Sequence, residues 1–244
     1  MGTGSVSAGA SLINSAKTRI AILKSNNTHP YSLAEAEGHS IGSVLGTVYK
    51  DTENAAKLPA FFNGSISGTT LTVTSMLPGG TIEVGQTLQW AGVSSSEPMI
   101  VSQDSGTAGG VGTYTISIDE GTVLVTPMNT DGVIVVPSWA KYVSVVGNIQ
   151  FPAQVTGDGY CSTHLFRNAG PTPPQGDMSY HTRNFYGTAN PSYSSVRAGT
   201  GKIPVLIENE SWSLRGFQSS SSAQNIELSG NGGKNWLSVE FFES

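Results

Sequence analysis

In short segments of this chain apolar residues alternate with polar ones: Leu71 and Val73 flank Thr72, Ile82 and Val84 flank Glu83, and Tyr114, Ile116 and Ile118 are separated by Thr115 and Ser117. A period of two sends successive side chains to opposite faces of a strand, whereas a helix needs recurrence at three and four. Charge points the same way. Asp, Glu, Lys and Arg make up 12% of the 244 residues, about half the usual share of roughly 25%, so long helices with charged outer faces are excluded. The 30 glycines supply turns between short strands.

The charges are unevenly placed. Residues 1–57 hold five basic and four acidic groups, 58–127 none basic and five acidic, and 128–244 seven and eight. No Lys or Arg lies between Lys57 and Lys141. This shift divides the chain into three expected modules, 1–58, 59–127 and 128–244. With a net charge of −5 and no basic run, no phosphate-neutralising surface is expected, and nucleic acid is not a partner. The lone Cys161 makes neither an intrachain disulfide nor a zinc cluster. Met1–Ala10 lacks a secretory pattern and no run of about 18 apolar residues occurs, so neither export nor membrane insertion is expected.

Only the first module carries helical signals. Leu12, Ile13, Ala16, Ile20 and Leu23 predict a short helix over Ser11–Lys24, and Ser32 with Glu35 forms a capping-box pattern for a second. Gly38, Gly42 and Gly46 keep that second helix short, and Ile41–Tyr49 reads alternatively as a strand. Neither element can bury much alone, so the module is expected to order against a partner or a larger body. In the third module, runs at Val133–Val136, Tyr142–Val146, Cys161–Phe166, Ile203–Ile207, Trp212–Phe217 and Trp236–Phe242 predict a β-sandwich or jelly roll. The expected fold class is mainly β: a small α-containing N-terminal mount, a small β spacer and a C-terminal jelly-roll sandwich.

Two resemblances sharpen this reading. Gly-Thr-Thr-Leu-Thr-Val (68–73), Gly-Thr-Ile-Glu-Val-Gly-Gln-Thr-Leu (80–88) and Gly-Thr-Tyr-Thr-Ile-Ser (112–117) resemble a small β module of bacteriophage tail and fibre proteins. Lys141–Gln150, Thr156–Tyr160, Thr200–Val205, Leu214–Gln218 and Trp236–Glu240 resemble, in order, the jelly-roll head of the complement-globular and tumour-necrosis-factor-like superfamily. The chain departs from that pattern at Glu208-Asn209-Glu210, where family members often carry Gly-Asp. The resemblance implies a homotrimer in the virion, mounted on other virion proteins through residues 1–58, whose head binds a host-surface glycan or protein.

His29, His39, His164 and His181 form no metal spacing, and no nucleophile motif occurs. Asp158 in Thr-Gly-Asp-Gly reads as a turn residue or a calcium ligand. No enzyme, metal or cofactor is expected. Between Asn168 and Arg197, Pro171, Pro173, Pro174 and Pro191 predict a long loop in which Tyr180, His181, Arg183, Phe185, Tyr186 and Tyr193 cluster. Aromatics interleaved with Arg suit receptor binding; they equally suit packing beneath the loop or within a trimer interface. Trp139, Trp212, Phe217 and Trp236 are expected on strands as core residues. The alternatives are a decoration or head-fibre protein stabilising the particle, and a glycan hydrolase using Asp104, Asp119, Glu120, Asp158 and Asp177.

Overall fold

The computed structural model describes residues 19–24, 32–33, 39–40, 45–78, 80–91, 98–151, 160–168, 180–185, 194–208, 210–218, 224–225 and 235–244. Within them the chain is mainly β and contains no helix. The first strands are β1 (Ile20–Lys24), β2 (Ser32–Leu33), β3 (His39–Ser40), β4 (Thr47–Asp51) and β5 (Ala56–Lys57). Next come β6 (Phe61–Ser67), β7 (Thr70–Met76), β8 (Leu88–Trp90), β9 (Ile100–Gly106), β10 (Gly112–Ile116) and β11 (Thr122–Thr130). The remainder are β12 (Val133–Val135), β13 (Tyr142–Phe151), β14 (Tyr160–Asn168), β15 (Tyr180–Phe185), β16 (Ser194–Pro204), β17 (Ser211–Gln218), β18 (Gln224–Asn225) and β19 (Trp236–Phe242).

Two sheets face each other as a sandwich. One runs β16-β13-β19-β1-β4; the other runs β15-β14-β17-β12-β5, with β3 also pairing β17. Alternation builds the core between them. Along β19, Leu237, Val239 and Phe241 are buried while Trp236, Ser238, Glu240 and Phe242 stay partly exposed. Leu23, Val143 and Val145 from the first sheet meet Ile134, Leu165, Trp212 and Leu214 from the second in one cluster. Gly147 lies between the sheets, against leucines of the facing one. A Cβ there would meet Leu214 Cδ1 and come within 2.7 Å of Leu165 Cδ2.

Residues 60–130 form a second body. Its sheet runs β8-β11-β6-β7-β10-β9 and closes on itself through the Thr87↔Met99 bridge, with Leu88 N donating to Pro98 O and Ile100 N to Gln86 O. Phe62, Ile66, Leu71, Val73, Leu88 and Tyr114 fill the resulting small barrel. The β9–β10 hairpin needs glycine at Gly106 (φ 92°), because a Cβ there would strike the Val111 carbonyl.

The helix expected over Ser11–Lys24 is not formed where the chain is described: Ile20–Lys24 is a strand. Ile20 and Leu23, three apart, fit one helix face, but in β1 they point to opposite sides, with Ala21 and Leu23 buried. Ladders to β19 on one side and β4 on the other fix that choice. At the second expected helix start, Ser32 and Leu33 form β2, paired with β18; Glu35 lies outside the described residues. Within the described residues, β1, β3, β4 and β5 belong to the two sheets of the sandwich. Asn168–Arg197 is not loop throughout, since β15 and the start of β16 lie in it. Trp139 sits in the turn between β12 and β13 rather than on a strand.

Candidate functional site

The strands that bury every second residue in the sandwich turn the alternate set outward on the β16-β13-β19-β1-β4 sheet. Register aligns these side chains in rows. Lys24 pairs with Trp236, Trp236 with Asn148 and Asn148 with Arg197; farther along, Ile20 pairs with Glu240, Glu240 with Ser144 and Ser144 with Lys202. The last row sets Phe242 beside Tyr142 and Tyr142 beside Pro204.

Cations lie against rings across this face. The Arg197 guanidinium is 4.9 Å from the Trp236 ring centre, Lys24 Nζ is 3.3 Å from that of Tyr49, and Lys202 Nζ is 4.8 Å from Tyr142 and 5.1 Å from Phe242. A shallow cleft of about 410 Å³ opens here, walled by Ile22, Tyr49, Val146, Arg197, Trp236 and Glu240. Trp236 and Phe242 are partly buried, Tyr49 and Tyr142 exposed, and Arg197 and Lys202 lie open to solvent; exposed rings beside cations suit contact with another surface. Sequence reasoning placed Trp236 in the core; the sheet turns it outward. The alternation of Trp236, Ser238, Glu240 and Phe242 carried that signal, but its partners on β1, β4, β13 and β16 were invisible.

A buried polar hub braces the sandwich behind this face. Arg167 Nη2 lies 2.6 Å from Glu210 Oε2, with side chains 4% and 0% exposed. Glu210 Oε2 also accepts from Leu206 N at 2.9 Å, and Oε1 accepts from Trp212 Nε1 at 2.9 Å. The departure noted at Glu208-Asn209-Glu210 thus supplies an anchor: one carboxylate ties the β16–β17 connection to β14 and to the fully buried Trp212.

The sequence-predicted receptor residues fall on a sheet edge. Tyr180, His181, Arg183 and Phe185 lie on β15, the outermost strand beside β14, where Tyr180 pairs with Leu165, His181 with His164, Arg183 with Ser162 and Phe185 with Tyr160. The structure thus brings four of the six into one strand; Tyr186 and Tyr193 lie outside the described residues. Asp158 and Asp177 also lie outside them.

The barrel carboxylates have separate local roles. Asp104 accepts from the Ser102 and Thr115 hydroxyls, and Asp119 accepts from Gly121 N at 2.8 Å in the turn before β11. Burial, with Asp119 beside it, pushes the Glu120 carboxyl above its usual range. Among the described residues no group of three or more His, Cys, Asp or Glu is placed to hold a metal ion, and no helix is long and apolar enough to cross a membrane. No protein-family model and no curated protein matches the chain.

Proposed function

We propose that this chain is a structural protein of the bacteriophage virion, a fibre or tail component whose jelly-roll head self-associates as a homotrimer and binds the host surface. The supporting observation is the outer face of the β16-β13-β19-β1-β4 sheet. Ile22, Val146, Trp236, Tyr142 and Phe242 line it, only partly buried in a single chain. Hydrophobic and aromatic area of this kind, edged by Arg197, Lys202 and Glu240, suits a homomeric interface. The pairing of β1 with β19, near the two ends of the described chain, accords with the jelly-roll resemblance. The β15 edge, with Tyr180, His181, Arg183 and Phe185, is then the host-facing surface, and residues before β1 join the protein to the rest of the virion.

Light scattering on the purified protein tests this reading. The expected mass is three times 25.4 kDa, about 76 kDa, and Val146→Asp should reduce it towards the single chain while the circular dichroism of the sandwich persists. The trimer should adsorb to host cells, and Arg183→Ala should weaken adsorption without changing mass. A mass of 25.4 kDa at every concentration refutes the head assignment; a trimer that adsorbs to no host surface refutes the adhesive role.

A further inference from the structure

The barrel is an insertion between two neighbouring strands of the sandwich. The chain leaves through β5 and returns through β12, and these strands pair directly, Lys57 opposite Val133 and Ala56 opposite Ile134. A neck of two adjacent strands with nothing else beside it would be a hinge. Here it is surrounded by buried polar groups that hydrogen-bond across the two crossings.

Gln86, fully buried, stands between the two crossings. Its Nε2 donates to Leu58 O on the outgoing segment at 2.9 Å and to Asp131 O on the returning segment at 2.8 Å, and its Oε1 accepts from Glu83 N at 2.8 Å. The Thr87 hydroxyl donates to the Asp131 carboxylate, and Asp131 N donates to Thr87 O at 3.0 Å. Ala60 N donates to Thr130 Oγ1 at 2.9 Å while Thr130 N donates to Ala60 O at 2.8 Å, tying the crossings together above the neck. From the sandwich, Ser211 Oγ on β17 donates to Gly85 O of the barrel at 3.2 Å. Lys57 Nζ reaches Glu83 at 2.8 Å. Gln86, Thr87, Thr130, Asp131 and Ser211 are each at most 1% exposed.

We infer that this seam is an orientation lock, with Gln86 as its centre, that makes barrel and sandwich one rigid body. Tilting the barrel would strip hydrogen bonds from buried groups that have no water to replace them, and such groups tolerate no half-made geometry. The neck belongs to the β15-β14-β17-β12-β5 sheet, whereas the self-association face is on the other sheet. If that assignment holds, the lock carries the barrel as a fixed outward arm of the assembly; the lock itself does not depend on it.

The test is a spin-label distance within the full chain: Leu124→Cys on the barrel and Ser195→Cys on the sandwich, in a Cys161→Ser background diluted with unlabelled protein. The parent should give one narrow distance distribution. Gln86→Ala should broaden it while the circular dichroism of both units is kept; Ser211→Ala serves as the second variant if Gln86→Ala does not fold. A broad distribution in the parent, or a narrow one in every folded variant, overturns the lock. Dilution makes the readout independent of oligomeric state, so failure of the lock and failure of the trimer are separately visible.

Discussion

Replacing Arg167 by Met takes the positive partner from a carboxylate that has no access to water. Glu210 is 0% and Arg167 4% exposed, and their contact is 2.6 Å. The variant leaves Glu210 with two N–H donors, from Leu206 and from Trp212, but with no counter-charge, and the methionine also surrenders the donor to Pro204 O. Breaking one side of a buried pair costs about 3–5 kcal/mol, which for a domain of this size lowers Tm by about 2–4 °C per kcal/mol. Adding Glu210→Gln removes the stranded charge and keeps an oxygen for Leu206 N, but turns the amide NH2 toward the Trp212 Nε1 donor, so the double variant should recover most of the loss and remain about 1–2 kcal/mol below the parent. Urea unfolding followed by tryptophan fluorescence reads this directly, because Trp212 donates to Glu210. Protein concentration must be held fixed, since association stabilises the folded chain. A loss below about 1 kcal/mol for Arg167→Met, or a double variant worse than the single one, would refute the reasoning.

Three further outcomes follow from the geometry. Gly147→Ala pushes a methyl against Leu165 and Leu214 between the sheets and should cost about 1–3 kcal/mol in thermal unfolding; an unchanged midpoint would mean that the leucine tips swing aside freely. Tyr114 donates to Gly110 O at 2.6 Å inside the barrel, so Tyr114→Phe should lose about 1 kcal/mol at neutral pH. Burial also raises the Tyr114 phenol above its ordinary 10.0. The unfolded chain therefore gives up that proton first, so barrel stability should fall as pH climbs past 10 in the parent, and less steeply in the phenylalanine variant. For Glu120 the shift is also upward, from an ordinary 4.5, caused by burial and then by Asp119. Its stabilising contribution is present below that value and fades as pH rises through the folded pKa, so Glu120→Gln should flatten denaturation midpoints measured between pH 4 and pH 7. A parent and variant with parallel pH profiles would contradict this.

Much of the sandwich is legible because its strands advertise themselves by alternation. Trp236–Phe242 was expected as a strand and is β19, and Val133–Val136, Cys161–Phe166 and Trp212–Phe217 correspond to β12, β14 and β17 with small changes at their ends. The run expected at Ile203–Ile207 ends instead at Pro204, because β16 starts at Ser194 and pairs with β13 along its length. The predicted binding residues were half legible. Aromatic clustering with Arg183 drew attention to the right stretch, but nothing local indicated that Tyr180–Phe185 would be an edge strand beside β14.

By itself the sequence determined the local periods, and with them the β class, the turn-rich connections, the acidic barrel free of Lys and Arg, and which residues of a strand such as β19 share a face. Tertiary structure decided everything that depends on a partner far along the chain. Ile20 pairs with Glu240 and Lys57 with Val133, so a segment with helical periodicity became a strand and a composition boundary became an insertion between neighbouring strands. Gln86 and Glu210 look in sequence like ordinary surface polar residues. Their burial is decided by the carbonyls and amides that the fold gathers around them, since a polar side chain enters an interior only where its hydrogen bonds are waiting.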